Sequence, residues 1–415
     1  MSDRFDVIVA GAGPAGAQCA RDIAARGYDV VVLETESEAE FPRQSNKSTA
    51  GTFPSMMAAF GVPDEVVMQF TDSVVLESPN DHFVQSQAGA VLEFADFKRF
   101  LVADGRERGA TYWFDSRVSR PIMDGEEICG VRYNGDREVY ADIVVDATGP
   151  AAPLAKALGV SDLKRENQAI GIEYEMEGID IDHPEFADLH DAMMLRLDHE
   201  LAPGGYSWIF HTGGDTAKVG LCYIQNNRHQ EYAKAGMTVD DYLAYWLERD
   251  PRFENATKIE GQQHRGSAHI QMPSNLSTDR FMAIGDTVPT IDPLWGEGIH
   301  KGMQSGRAAA ITVDKCLTPA KPALSADAMA TYDMLWHERV APEMRSRLTM
   351  TELLYLAPNE RYDTLMADLR RLGLDSLSKI NSGNPLALRK LIHLEDLPLL
   401  AQYARERLTT RSSWD

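Results

Sequence analysis

The chain has 415 residues, enough to bury a sizeable core and to form two or three domains. It holds no run of roughly 18 or more apolar residues, so no spanning helix is expected. Its formal net charge of −22 makes nucleic acid a poor partner. The acidic excess is spread along the sequence and faces 12 Lys against 29 Arg, which looks like a salt-adapted protein. At ~1 M salt the Debye length falls to roughly 3 Å, and self-repulsion of such a surface is screened. Cys19, Cys129, Cys222 and Cys316 are scattered without a CxxC pair. That argues against an iron–sulfur or zinc site and for a reducing, cytoplasmic compartment. The first residues read as a core strand, not as a signal peptide.

In chain order, Asp6–Ala10 is a short apolar run rich in β-branched residues and is expected to be a buried parallel strand. It runs into Gly11-Ala12-Gly13-Pro14-Ala15-Gly16, the pattern GxGxxG, followed by an Ala-rich helix ending at Gly27 and a second strand, Asp29–Leu33. Gly11 allows a tight turn, Gly13 lets backbone approach a pyrophosphate, and Gly16 lets helix and strand pack closely. The helix start, with Pro14 and Ala15, supplies N–H groups and a positive dipole end. Glu34, 23 residues after Gly11, is placed to accept from a ribose 2′-hydroxyl and disfavours a 2′-phosphate, so FAD or NAD is expected there.

Residues 111–140 carry turn signals at Met123-Asp124-Gly125 and Asn134-Gly135-Asp136 and read as a small β-meander. Asp142–Asp146 is another strand, ending in Ala147-Thr148-Gly149. Residues 160–275 alternate and suggest a mostly β substrate domain. Within them, Pro203-Gly204-Gly205 makes a turn, after which Tyr206, Trp208 and Phe210 face one side of a strand and Ser207, Ile209 and His211 the other. Phe281–Ile284 is a strand ending in Gly285-Asp286, followed by Gly296-Glu297-Gly298-Ile299 and a helix through about Lys315. Asp286 can bind ribityl hydroxyls, and the glycine-rich helix start can aim N–H groups at a flavin pyrimidine edge. From Ser325 onward the pattern is helical.

These three ordered motifs resemble the FAD-binding superfamily of aromatic hydroxylases, flavin-dependent halogenases and geranylgeranyl reductases, with Gly285-Asp286 matching the motif near the ribityl chain. The string Pro203–Phe210 is similar to the PGGYxWxFP signature of the geranylgeranyl reductase family, with His211 in place of the last Pro. Ala217–Leu221 also resembles that family's next strand. The family carries a Lys-x-Cys-Gly-Gly-like segment that here reads Lys47-Ser48-Thr49-Ala50-Gly51, so Thr49 stands at the Cys position and any thiol-dependent role is absent or altered. An Arg that often precedes the family's FAD-domain helix is replaced by Phe94, which leaves Arg43 or Lys47 to compensate near the cofactor.

The resemblance implies an α/β fold, α+β overall: a Rossmann-type FAD-binding domain, an inserted mixed β-sheet substrate domain and a helical C-terminal region. The FAD-binding domain is expected in segments 1–60, 90–160 (with the meander) and 276–324, the substrate domain over 161–275 with 61–89, and the helical region over 325–415. The activity implied is saturation of isolated C=C bonds in a prenyl chain of an ether lipid, a diphosphate or a quinone. Tyr206, Trp208, Phe210 and Thr49 would line the reacting end, with Tyr206, His211, His300 or water as proton source. FAD would be reduced by ferredoxin or NAD(P)H. A bilayer substrate implies peripheral contact with the membrane's inner face, through Leu353–Leu356 or Leu397–Leu400. The competing reading is an FAD-dependent aromatic-ring monooxygenase, which usually carries Gly-Asp-Ala-Ala-His where this chain has Gly285-Asp286-Thr287-Val288. An electron-carrying flavoprotein without a small substrate is a third class, and the aromatic pocket argues against it.

Overall fold

The computed structural model describes residues 3–43, 49–226, 228–229, 231–318, 320–373, 377, 379–380 and 384–409. Two compact units emerge. The first comprises residues 1–46, 94–164 and 271–344, and the second residues 47–93, 165–270 and 345–415.

The first unit is built on a sheet in the order β15 (Ser277–Thr278), β16 (Phe281–Ala283), β9 (Arg137–Asp146), β1 (Arg4–Ala10), β2 (Val30–Leu33), β6 (Thr111–Trp113). The run from β16 to β6 is parallel, and β15 pairs antiparallel with β16. Val7–Ala10 and Val30–Leu33 are buried without alternation, as strands covered on both faces require. The first half of β9 also pairs with β8 (Glu127–Tyr133), which pairs with β7 (Val118–Asp124), completing the meander read from its turns. Helix α1 (Pro14–Ala24) packs against α6 (Ile299–Leu317). The contact is close because α6 presents glycine: a Cβ on Gly306 would stand 2.3 Å from the Ala15 carbonyl oxygen. Helix α7 (Ala326–Leu335) also belongs to this unit, where Tyr332 donates to the Ala283 carbonyl at 3.0 Å.

The second unit holds a mixed sheet in the order β14 (Thr257–His269), β10 (Gln168–Glu177), β13 (Thr216–Ile224), β12 (Gly205–Gly213), β11 (Ala192–Arg196), β4 (Val67–Glu77), β5 (His82–Leu92), β3 (Gly51–Thr52). Only β11 and β4 run parallel within it. Period-2 alternation sorts its residues between two faces. One face, with Ile172, Tyr174, Met194, Ile209, Val219 and Leu221, packs on Tyr242, Leu243 and Trp246 of α5 (Val239–Arg249). Thr238 starts α5 with a capping box to Asp241. The other face carries Tyr206, Trp208 and Phe210 of β12, Lys218 and Gly220 of β13, and Gly171, Glu173 and Glu175 of β10. Residues 345–371, in α8 (Met344–Leu356) and α9 (Asn359–Arg371), group with this unit.

Candidate functional site

In the first unit the three sequence motifs meet at the C-terminal ends of the adjacent parallel strands β1, β9 and β16, where open α/β sheets bind ligands. Gly11 turns with φ +101°, and a Cβ there would lie 2.6 Å from the Ala147 carbonyl oxygen. Ala147 in turn donates its N–H to Ala10 at 2.8 Å. A Cβ on Gly16 would lie 2.1 Å from the Gly11 oxygen, so the loop folds back onto its own helix. Gly13 differs, because a Cβ built there meets no heavy atom within 4 Å. That open space stands beside the start of α1, where Pro14 occupies the first turn and no side chain caps the helix. Ala15 is turned toward α6 rather than toward this space.

Glu34 is buried, and its two oxygens accept from Ala12 N at 2.8 Å and Glu36 N at 3.0 Å. Each oxygen retains a lone pair for a hydroxyl donor. Asp146, which sequence reading passed over, is fully buried and ties down the second motif. It accepts from Thr148 N at 3.0 Å, Thr148 Oγ1 at 2.6 Å, Leu154 N at 3.1 Å and Ala155 N at 2.9 Å. Gly149 N donates to Thr287 Oγ1 at 3.1 Å, joining the second motif to the third.

The third motif holds two carboxyls that burial drives toward neutrality. Asp286 is pushed up to about 6, and Glu297, with the Asp292 charge adding to burial, to about 7. Gly298 begins α6 without a side-chain cap of its own, Ile299 is buried beneath it, and Glu297 accepts from His300 N. Gly296 takes φ +64° in a loop closed by Asp292 N donating to Glu297 O at 2.9 Å. The open space at Gly13, the free acceptor capacity of Glu34, and an Asp286 with no hydrogen-bond partner among the described residues together suit a dinucleotide with hydroxyls to donate. The Arg43 side chain is 81% exposed and pairs with Glu40 at 3.8 Å. Buried cations of this unit include Arg21, paired with Asp104, and Lys98 of helix α3 (Phe94–Glu107), whose Nζ lies 4.6 Å from the Phe41 ring centre. Lys47 lies outside the described residues.

In the second unit the aromatic ladder reads as the alternation predicted. Tyr206 and Trp208 lie 5.8 Å apart, and Tyr206 stacks at 6.3 Å on Tyr355 of α8. Leu353–Leu356 therefore contributes a buried ring, not an exposed docking face. The Trp208 indole lies across Gly220, where a Cβ would fall 2.4 Å from its Cζ2, and its Nε1 donates to Glu173 at 2.9 Å. Phe210 packs against Gly51, two residues after Thr49, so the Thr49 segment and the signature strand come together. His211 faces the other way and is held on both nitrogens: Nδ1 accepts from Asp191 N at 3.0 Å, and Nε2 lies 3.1 Å from the Gly214 carbonyl. That leaves it no proton to give on the aromatic face. Glu173, Glu175, Lys218 and His264 were missed in the sequence. Their only signal is alternation on β10, β13 and β14, and the partners come from different strands.

The family described as "FAD binding domain" matches residues 4–331. Over 406 residues, 98% of this chain and 99% of the relative, the sequence is 67% identical to the digeranylgeranylglycerophospholipid reductase of Haloferax volcanii. The chain belongs to the geranylgeranyl reductase family. The reductase of the same name from Methanosphaerula palustris is 27% identical over 95% of the chain and 99% of its own length. Among solved structures, a geranylgeranyl bacteriochlorophyll reductase-like protein of Thermoplasma acidophilum shares the fold with a TM-score of 0.81, at 22% identity, covering 94% of this chain and all of that one. A flavin-dependent brominase follows at TM-score 0.73 and 20% identity, covering 97% of this chain and all of its own. Family membership makes FAD the cofactor, in agreement with the Gly13 and Glu34 geometry.

Proposed function

We propose that this protein reduces the isolated C=C bonds of geranylgeranyl chains on a membrane glycerophospholipid. The observation that carries this reading is the 67% identity, end to end, to a reductase named for that substrate. When bound and reduced, FAD supplies the electron pair of the reduction. The chain's own residues hold it: backbone at Gly11, Gly13 and Gly16 with the start of α1 for the pyrophosphate, Glu34 for the ribose, Asp286 for the ribityl hydroxyls, and the Gly298–Ile299 end of α6 for the pyrimidine edge. Ala147 and Gly149 shape the floor between these groups.

Tyr206, Trp208, Phe210 and Thr49 receive the prenyl chain. An isolated alkene has no carbonyl to absorb negative charge, so the workable order is protonation to a tertiary cation followed by transfer of a hydride, the electron pair with its hydrogen, to the cationic carbon. Aromatic faces suit that cation, at roughly 0.5–2 kcal/mol each. The single dinucleotide fingerprint is taken by FAD, so the electrons come from a separate donor, ferredoxin or transiently bound NAD(P)H. Stopped-flow reduction with each identifies it.

The substrate lies in a bilayer, and no helix among the described residues is long and apolar enough to cross one. Peripheral contact through the stretch Leu386–Leu397 meets this need. Leu386, Ile392, Leu394 and Leu397 are 80, 47, 84 and 53% exposed there, beside Arg389 and Lys390. Vesicle flotation tests it: Leu394→Glu with Leu397→Glu should leave flavin content intact and abolish flotation. The experiment for the activity itself is reduction of a digeranylgeranyl lipid by dithionite-reduced enzyme. Productive oxygen use with a phenol in its place would establish the monooxygenase.

A further inference from the structure

The aromatic face of the second unit carries a buried charge pattern that the assigned roles leave unexplained. In register, Trp208 of β12 lies opposite Gly220 of β13, Gly220 opposite Glu173 of β10, and Glu173 opposite His264 of β14. One row lower stand Phe210, Lys218 and Glu175. Four ionisable side chains, each no more than 9% exposed, thus share the face of the family signature.

Their pairing is uneven. Lys218 and His264 both turn to Glu175: Lys218 Nζ lies 3.9 Å and His264 Nε2 3.5 Å from its Oε1. Lys218 also donates to the Leu92 carbonyl at 3.1 Å. Burial works to raise the Glu175 carboxyl, yet His264 and Lys218 hold it below its ordinary value. Among the described residues Glu173, 3% exposed, receives only the neutral Trp208 N–H at its Oε2, and its Oε1 has no hydrogen-bond partner. A buried carboxylate without a cation costs several kcal/mol of desolvation, so a fold selected for stability alone would pair or replace it.

The glycine floor gives this carboxylate its reach. With Gly220 beneath it, and Gly171 3.8 Å from Cη2 measured from a built Cβ, the indole lies flat across β13 and brings Nε1 to Glu173. A carboxylate accepting the indole N–H enriches the ring's π system and adds a fixed negative charge in a low-dielectric setting. The reaction that can use this is one that develops positive charge over the ring.

We propose that Glu173 is a positioning residue for prenyl reduction: it orients the Trp208 indole through Nε1 and supplies the counter-charge for the cation formed when the alkene is protonated. In that step a C–H bond forms at the less substituted carbon and the charge falls on the tertiary carbon. A hydride, the electron pair together with its hydrogen that the reduced cofactor would supply, then forms the second C–H bond at that tertiary carbon, so that H⁺ and H⁻ together saturate the bond. The inference rests on the proposed prenyl reduction.

Glu173→Gln tests it, because the amide keeps the shape and an oxygen for the indole N–H while removing the charge. In FAD-loaded enzyme with a digeranylgeranyl lipid in micelles, kcat should fall by about tenfold or more, with KM within about twofold. Flavin content and melting temperature should match wild type. Separately, the Trp208 indole N–H resonance, identified by its loss in Trp208→Phe, should move upfield in substrate-free Glu173→Leu. A wild-type kcat in Glu173→Gln overturns the proposal. So does a loss of turnover that tracks a lowered melting temperature, or an unmoved indole resonance in Glu173→Leu. If wild type reduces no prenyl lipid, the proposed function fails and takes the catalytic half of this inference with it. The indole resonance still decides whether Glu173 holds Trp208.

Discussion

Gly13 separates the role of the cofactor loop from the stability of the fold that carries it. Its neighbours Gly11 and Gly16 are required by the protein itself, since a Cβ on either would strike backbone. At Gly13 the added Cβ meets nothing, so Gly13→Val should give an apoprotein that melts within a degree or two of wild type yet retains no flavin at 450 nm. Trp208→Ala should do the reverse, keeping FAD and losing turnover, because Trp208 belongs to the sheet face of the second unit. Asp286 gives a pH test. Its folded-state value is raised from 3.8 to about 6 by burial, so the fold binds this proton more tightly than the unfolded chain does. The stability it lends at low pH is lost as pH rises through that window. In apoprotein melts the gap between Asp286→Asn and wild type should therefore widen in the variant's favour from pH 4 to pH 6, and an unchanged gap would remove the burial argument. The glycines and acids of the first unit were legible in the sequence because their spacing is local. The Glu173–Trp208 bond was not, since its partners are 35 residues apart and meet only through the registers of β10, β13 and β12. Nor was the solvent-facing pair of Arg43 with Glu40, which no spacing rule distinguishes from a cofactor contact.

At the scale of elements, β1, β9 and β16 were each recognisable as apolar runs ending in small residues, and their adjacency follows from right-handed parallel crossovers. The second sheet was legible only as alternation. Its order, with β4 and β5 joined beside β11, depends on long-range pairing that one sequence does not encode locally. A buried ion cluster pins that order. Arg252, fully buried, donates to both oxygens of Glu77 on β4 at 2.9 and 3.1 Å and to Asp250 Oδ2 at 2.8 Å, with its guanidinium 4.0 Å from the Phe186 ring centre. Arg252→Ala would leave the buried Asp250 without its cation and Glu77 with Arg196 alone, at 3.6 Å, and should cost about 3–5 kcal/mol in urea unfolding. A loss within ~1 kcal/mol, the range of exposed ion pairs, would mean that water reaches this cluster. Helices α8 and α9 illustrate the limit of composition. Their residues read only as helical, yet Tyr355 stacks on Tyr206, and Tyr362 lies 3.1 Å from His199 Nε2, so they complete the second unit.

For the molecule as a whole, the charge of −22 with few lysines sets the working solvent. Repulsion among dispersed carboxylates is screened at ~1 M salt, where the Debye length is roughly 3 Å, so the melting temperature should climb steeply along a KCl series. A flat series would leave the salt-adaptation reading without support. Fold, cofactor and family were within reach of the sequence because three ordered motifs and one signature strand carry them. The electron donor and the membrane contact have no comparable local mark. The central claim is chemical, and mass spectrometry of the lipid product tests it most directly. Dithionite-reduced enzyme, incubated anaerobically with a digeranylgeranyl glycerophospholipid in molar KCl, should return lipid heavier by two hydrogens for each saturated double bond, with wild type far ahead of Trp208→Ala. Lipid of unchanged mass from a fully flavin-loaded, reduced enzyme would contradict the assignment.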